Sequence, residues 1–327
     1  MRLDTKSIQK GGRKLWFYIA NFSLYYTPTF LIKWWLAREA KSLTPEEKDM
    51  AQRRAAFYAR LPQGATLGAD SVELRNYKYP FGQRKKFSAY FFDLLLPLRY
   101  FRGELRMHYL FGDIRHTLDK PTLVKSRPIV EGPTQSVLCK LDKTRHFLFV
   151  KDKHSFREKQ NRIVFRNIVN HQPWRTLLLE KYHTHPLCDL GFINKDSDAP
   201  AECLKPFMSI DEQLTYKIIC CIEGHDVATN LKWVMSSNSL AIMPKPIVES
   251  WFMESLLIPN YHYVEVKPDY SDFIEKATYY MEHPEEAEEI IRNAQAYVAQ
   301  FLNPRLERYT AVLTLQRYFE QTAQMRP

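Results

Sequence analysis

Residues 210–266 read IDEQLTYKIICCIEGHDVATNLKWVMSSNSLAIMPKPIVESWFMESLLIPNYHYVEV, and this stretch decides the fold. Short apolar runs at 240–243 and 263–266 have the length and content of buried strands. Between and around them the pattern predicts helices over 210–223, 230–236 and 247–257. Working toward the amino end, further strands are predicted at 122–130, 147–151 and 162–165. Strands alternating with helices predict an α/β fold with a parallel sheet covered on both faces. Toward the other end, His283-Pro284-Glu285-Glu286 opens a helix through Phe301 with acid at its start, as the helix dipole prefers. Another helix is predicted over about 304–324. Near the beginning, Thr44-Pro45-Glu46-Glu47 supplies an N-cap hydroxyl, a proline for the first turn and a capping-box glutamate. That helix is predicted to end near Arg60.

The chain has 327 residues, enough for about two domains. Its hydrophobic (45%) and charged (26%) fractions are globular values and exclude a fibrous repeat or long disorder. A formal charge of +10 favours anionic partners. Five cysteines without C-x-x-C spacing exclude a zinc ribbon or disulfide framework and predict buried free thiols in a reducing compartment. No secretory signal is visible, so a cytoplasmic location is expected. Residues 15–32, LWFYIANFSLYYTPTFLI, carry no charge. They are flanked by Lys6, Lys10, Arg13 and Lys14 before and by Lys33, Arg38 and Lys41 after. Such a segment either packs its aromatics on the body of the protein or lies at an anionic membrane surface. The basic run Arg84-Lys85-Lys86 lacks a stacking pattern and reads as solvated surface, so no nucleic-acid partner is expected.

In open α/β sheets ligands bind beyond the carboxyl ends of the strands. Lys125-Ser126-Arg127-Pro128 and Phe165-Arg166-Asn167 fall at such ends, and Arg175 follows closely; arginine's planar fork suits a diphosphate. The run from Ile222 to Ser239 is rich in small hydrogen-bonding residues. It reads equally as a nest of backbone N–H groups for phosphate or as a capped helix start with Asp226 or Thr229 as cap. Glu249, after Pro244-Lys245-Pro246, is expected in the first turn of a helix, where it either binds sugar hydroxyls or complements the dipole. Asp196-Ser197-Asp198 has a metal-like spacing but no strand leading into it and reads as a loop. P-loop, G-x-G-x-x-G and G-x-S-x-G motifs are absent.

The run from Ile222 to Tyr280 resembles the core of the glycosyltransferase family 90 proteins, and VKSRPI (124–129), KTRHFLFVKD (143–152) and VFRN (164–167) match in the expected order. The likeness covers roughly 90–320 and is to the bacterial lipopolysaccharide-core branch, rather than the fungal capsule or animal protein O-glucosyltransferase branches. It implies a GT-B arrangement of two Rossmann-like domains facing a cleft, with an amino-terminal helical segment and carboxy-terminal helices. The implied domains are 1–62 (basic, aromatic and helical), 63–157 (acceptor side), 158–302 (donor side) and 303–327 (a helix packing back across the domains). The implied reaction is inverting transfer from a nucleotide-sugar, UDP-linked, to a lipopolysaccharide core at the inner face of the bacterial membrane. No metal or other cofactor is implied. By the same likeness the donor is held by Arg127, Arg166, Arg175, Asn230, Lys232, Ser236, Ser237, Asn238, Lys245 and Glu249.

The chain departs from the pattern at His225, Ser255 and Asn167, where asparagine, glycine and glycine are usual, and at Pro128, where animal members carry the aspartate base. The base is therefore unassigned, with Asp113, Glu131, Asp142 and Asp152 as candidates. The alternatives are a polyanion or membrane-surface binder without catalysis, and a degenerate transferase that binds donor only.

Overall fold

A computed structural model of the chain describes residues 5–79 and 87–326. The cluster Arg84-Lys85-Lys86 lies outside the described residues, as do the side chains of Lys6, Lys10, Arg13 and Lys14. In chain order the elements begin with α1 (Thr5–Tyr26), α2 (Thr29–Lys41), α3 (Pro45–Tyr58), β1 (Val72–Glu73), α4 (Ser88–Leu98), β2 (Arg106–Tyr109), β3 (Thr122–Val124), β4 (Ser126–Pro128), β5 (Ser136–Leu138) and α5 (Lys143–His146). They continue with β6 (Gln160–Asn167), α6 (Pro173–Tyr182), β7 (Cys188–Phe192), α7 (Ile210–Gln213), β8 (Tyr216–Cys220), α8 (Leu231–Met235), β9 (Leu240–Pro244), β10 (Val248–Ser250), β11 (Val264–Val266), α9 (Phe273–Glu282), α10 (Pro284–Ala299) and α11 (Pro304–Gln321). The chain divides into two compact units: Met1–His146 with Asn303–Pro327, and Phe147–Leu302.

In the first unit β1-β2-β3-β5 form a sheet whose β2, β3 and β5 run parallel, while β1 pairs antiparallel to β2. Its core joins Phe91, Phe92 and Leu94 of α4 to Leu123 and Val137 of the sheet and to Val312, Leu315 and Phe319 of α11. The helix expected after Thr44 is α3, and its capping box is complete: Thr44 Oγ1 accepts from Glu47 N at 3.2 Å and Thr44 N donates to Glu47 Oε2 at 2.9 Å. Buried charge ties α3 to α11, where Arg54 meets Glu307 at 2.6 Å and Lys140 bonds the other carboxylate oxygen.

The second unit carries a five-stranded sheet in the order β11-β9-β8-β6-β7, every pair parallel. Residues 160–167, 240–244 and 264–266 are strands near where the apolar runs placed them. Three expectations need correction. Residues 210–223 are not one helix: the Ser209 capping box starts a single turn, α7, and the chain then enters β8, buried at every residue. A continuous apolar run such as Tyr216–Cys220 is what a central parallel strand requires. Residues 247–257 are not a helix either, but β10 followed by one 3-10 turn (Glu254–Leu256). Met253 at φ 57° interrupts any right-handed path, and Glu254 takes Ser250 N and Oγ to fix the turn. Residues 147–151 form no strand, because Val150 N donates to Ser236 Oγ at 2.9 Å rather than to a neighbouring strand.

All five cysteines are free and buried, as their spacing implied. Burial pushes the thiols up, Cys188 to about 12, so they are unreactive at neutral pH. Among the described residues no helix is long and apolar enough to cross a membrane.

Candidate active site

From β6 the chain turns first to β7 on one side and later to β8 on the other, so the order in which strands are added reverses between β6 and β8 while all of them stay parallel. Beyond the carboxyl ends of such a pair a crevice opens, and ligands settle there. The loops after β6 and β8 are sewn together at this edge by the first turn of α6. Arg175 Nε and Trp174 Nε1 both donate to Glu223 O (2.9 and 2.7 Å), Arg175 Nη1 donates to Ile168 O (2.6 Å) and Nη2 to Ile222 O (2.7 Å). Gln172 Nε2 contacts His225 Nε2 at 2.9 Å, which gives the departure at position 225 a local partner. The Glu223 carboxylate then reaches the loop after β9, accepting from Ile247 N and Val248 N at 3.0 and 3.1 Å. Three strand ends thus meet on Glu223, a residue that sequence reasoning did not single out. Its only signal was its place directly after a buried apolar run.

Arg175 is 7% exposed and its guanidinium lies over the Phe165 ring at 5.7 Å. Three carbonyls hold it, and among the described residues no carboxylate pairs with it. Burial pushes it down to about 10 against the raising effect of Tyr270, Asp226 and Glu223, so it stays cationic at neutral pH. Gly224 gives it room, since a Cβ there would stand 3.2 Å from Arg175 Nη2. Tyr270, a near electrostatic neighbour, is fully buried at φ 59°, and among the described residues its hydroxyl has no hydrogen-bond partner. A buried hydroxyl without an acceptor costs about 1–3 kcal/mol. Tyr270→Phe is accordingly expected to keep or raise the unfolding temperature, measured by scanning calorimetry, whereas a falling temperature would show that the hydroxyl is stabilising.

The other residues expected around the donor have partners of their own. Arg166 bonds Asp189 Oδ1 at 2.5 Å and Asp189 O at 2.9 Å, while its buried Nε has no partner among the described residues. Lys205 and Tyr216 converge on the same carboxylate at 2.7 and 2.6 Å. Burial would raise Asp189, but these three donors outweigh it and hold it well below the usual carboxylate range. Lys232 is fully buried on Glu254 at 2.7 Å, over the Phe252 ring at 5.3 Å. Asn230 Nδ2 donates to Cys220 O at 2.9 Å. Ser236 and Ser237 bond carbonyls of α8, and Asn238 is held by Asp152, His154 and Gln295. Lys245 is exposed. Glu249 is fully buried in β10, not in a first helical turn, and accepts from Ser255 Oγ. Position 255, where glycine is usual, therefore serves Glu249. Asp196 and Asp198 lie in turns, with Asp198 accepting from His171 N at 3.1 Å. Among the described residues no three metal-ligating side chains cluster.

In the first unit Arg127 is fully buried, donating to Tyr58 O (3.0 Å), Ser136 O (2.8 Å) and Phe57 O (2.9 Å). It closes the carboxyl end of α3, where a cation is favoured by the dipole. Of the base candidates, Asp113 is half-buried beside Lys125 at 2.6 Å. Lys125 Nζ stands 3.4 Å from His146 Nε2, which also meets Arg145 at 3.0 Å and, at 3.9 Å, Asp142. With two cations as donors, Nε2 accepts. Asp113, Lys125, Asp142 and His146 thus gather after the carboxyl ends of β2, β3 and β5. Glu131 is exposed and stands outside this group. Asp152, in the second unit, is committed to Lys159 at 2.6 Å inside the protein.

The second unit is of the open parallel α/β class, and a buried cation held by carbonyls stands at its switch point. Comparison with known proteins gives the class its chemistry. The sequence profile of glycosyl transferase family 90 matches residues 137–321. O-glucosyltransferase LpsA of Dichelobacter nodosus is 40% identical over 313 residues, covering 94% of this chain and 95% of that protein. Uncharacterized protein 179R of Invertebrate iridescent virus 6 is 33% identical over 136 residues, 39% of this chain and 10% of that protein. The chain belongs to glycosyltransferase family 90 and is a glycosyltransferase.

Proposed function

We propose that the protein takes a sugar, a glucosyl group by analogy with its relative's name, from a UDP-linked donor and passes it with inversion to a lipopolysaccharide core hydroxyl. The acceptor is lipid-anchored, so the reaction takes place at the cytoplasmic face of a bacterial membrane. One observation carries the donor side: Arg175, a buried cation held by three carbonyls and, among the described residues, ion-paired with no carboxylate, at the β6–β8 switch point. An arriving diphosphate pairs with Arg175, which then stabilises the same diphosphate as it departs. The acceptor oxygen attacks the anomeric carbon from the face opposite the diphosphate. The glycosidic bond forms, the bond to the diphosphate breaks with its electron pair, and the hydroxyl proton passes to a carboxylate.

The test is nucleotide binding to the purified full chain. UDP at about a hundred times its dissociation constant should stabilise the fold by about 2.7 kcal/mol, read as a rise in unfolding temperature, with UMP giving much less. Equal shifts from UMP and UDP would remove the diphosphate from the reading. Polyanions shifting the protein as strongly as UDP would favour a binder without donor specificity.

A further inference from the structure

Helices α1 and α2 use their apolar residues in two directions. Inward, Phe17, Tyr18, Phe22 and Tyr25 pack on the α4 core, with Phe22 edge-on to Phe92 at 4.9 Å and Tyr18 Oη 2.5 Å from Ser88 Oγ. Arg99 fastens the end of α1 by donating to the Leu24, Tyr25 and Thr27 carbonyls and to Thr29 Oγ1. Outward, Leu15, Trp16, Ile19, Tyr26, Phe30 and Trp34 recur at roughly helical spacing and are each 52–71% exposed. Single exposed apolar side chains are ordinary, but a stripe of six over two successive helices, interrupted at Ser23 and with three Trp or Tyr, marks a contact surface.

The charge around the stripe is of one sign. The α1 sequence contains no acid, and α2 contains only Glu39, which Arg308 of α11 neutralises at 2.6 Å. Arg38 lies over the Trp34 ring at 5.5 Å with its side chain exposed, and Lys41 is exposed beside it. Trp and Tyr prefer the level of lipid headgroups, and cations beside them are attracted to anionic lipid. The break between Tyr26 and Thr29 leaves two helices that are each too short or too polar to span.

We propose that the outer faces of α1 and α2 dock on an anionic lipid bilayer, lying in its interface without crossing it. The inference deepens the acceptor reading by naming the surface at which the enzyme works, and rests on it only for the choice of bacterial-type lipids. Full-length protein is sedimented with vesicles of phosphatidylethanolamine and phosphatidylglycerol, or of phosphatidylcholine alone. Binding to the anionic vesicles should be at least about tenfold tighter and should weaken in roughly 0.5 M salt. The variant Trp16→Ser/Ile19→Ser/Phe30→Ser/Trp34→Ser should lose about tenfold or more while keeping its unfolding temperature, because these side chains support no core. Should it fail to fold, Arg38→Gln/Lys41→Gln should still reduce the preference for anionic vesicles. Equal binding by parent and variants, or no vesicle binding by the parent, overturns the proposal. A parent dimer that the stripe variant turns into a monomer without change in lipid binding also overturns it, in favour of self-association. None of these readouts depends on sugar transfer, so failure here leaves the donor reading standing.

Discussion

Arg175→Ala is expected to lower kcat/KM for sugar transfer by about a thousandfold, the cost of removing a pre-aimed cation from a departing diphosphate. The same change unties the carbonyls of Ile168, Ile222 and Glu223 and is expected to cost about 2–4 kcal/mol of stability as well. Arg175→Lys separates the two effects. It keeps a charge and less of the fork, so it should fold while losing about a hundredfold in turnover. UDP affinity by titration calorimetry should fall in step for both variants. A folded Arg175→Lys enzyme with turnover within about threefold of the parent would falsify the assignment of the diphosphate to this edge.

The second large effect concerns the fold. Lys232→Met is expected to cost about 3–5 kcal/mol, because it strands the Glu254 carboxylate inside the protein. Set against a typical domain stability of about 5–15 kcal/mol, such a loss is visible in any urea titration. Glu254 also orients Ser250 N and Oγ, so Lys232→Met/Glu254→Gln should recover part of the loss but not all. The family likeness put Lys232 near the diphosphate, whereas its ammonium is spent on Glu254. At a temperature where Lys232→Met is folded, UDP affinity should accordingly stay within about threefold of the parent; a larger drop would return Lys232 to the donor site.

The elements legible in the sequence were those whose signals are local. The Thr44 capping box, the acid-led α10 and the strands at 160–167 and 240–244 each announce themselves within a few residues. The Ser209 capping box was equally local and misled, since a true helix start says nothing about length, and the apolar run behind it suits a central strand as well as a helix. Around the candidate site the arginines were legible as residue types at strand ends, but their partners were not. Arg166 and Arg175 looked alike. Only the pairing of β6 with β7 brings Asp189 to Arg166, and only the β6–β8 junction surrounds Arg175 with carbonyls. Glu223 acts through a main-chain oxygen and a carboxylate directed at two separate loops, a role no spacing rule encodes.

The first unit is assembled from two stretches of chain with the whole of the second unit between them. Val312, Leu315 and Phe319 complete its core, Tyr318 donates to Pro121 O at 3.0 Å, and Gln324 bonds both the N–H and the carbonyl of Arg106. On the ribosome, then, the five-stranded sheet of the second unit can close as soon as it emerges, while α4 and its aromatic neighbours wait with one wall missing until residues 303–326 follow. Synthesis order makes the amino-terminal unit the last to be finished, and its uncovered aromatics the part of the nascent protein most in need of a chaperone.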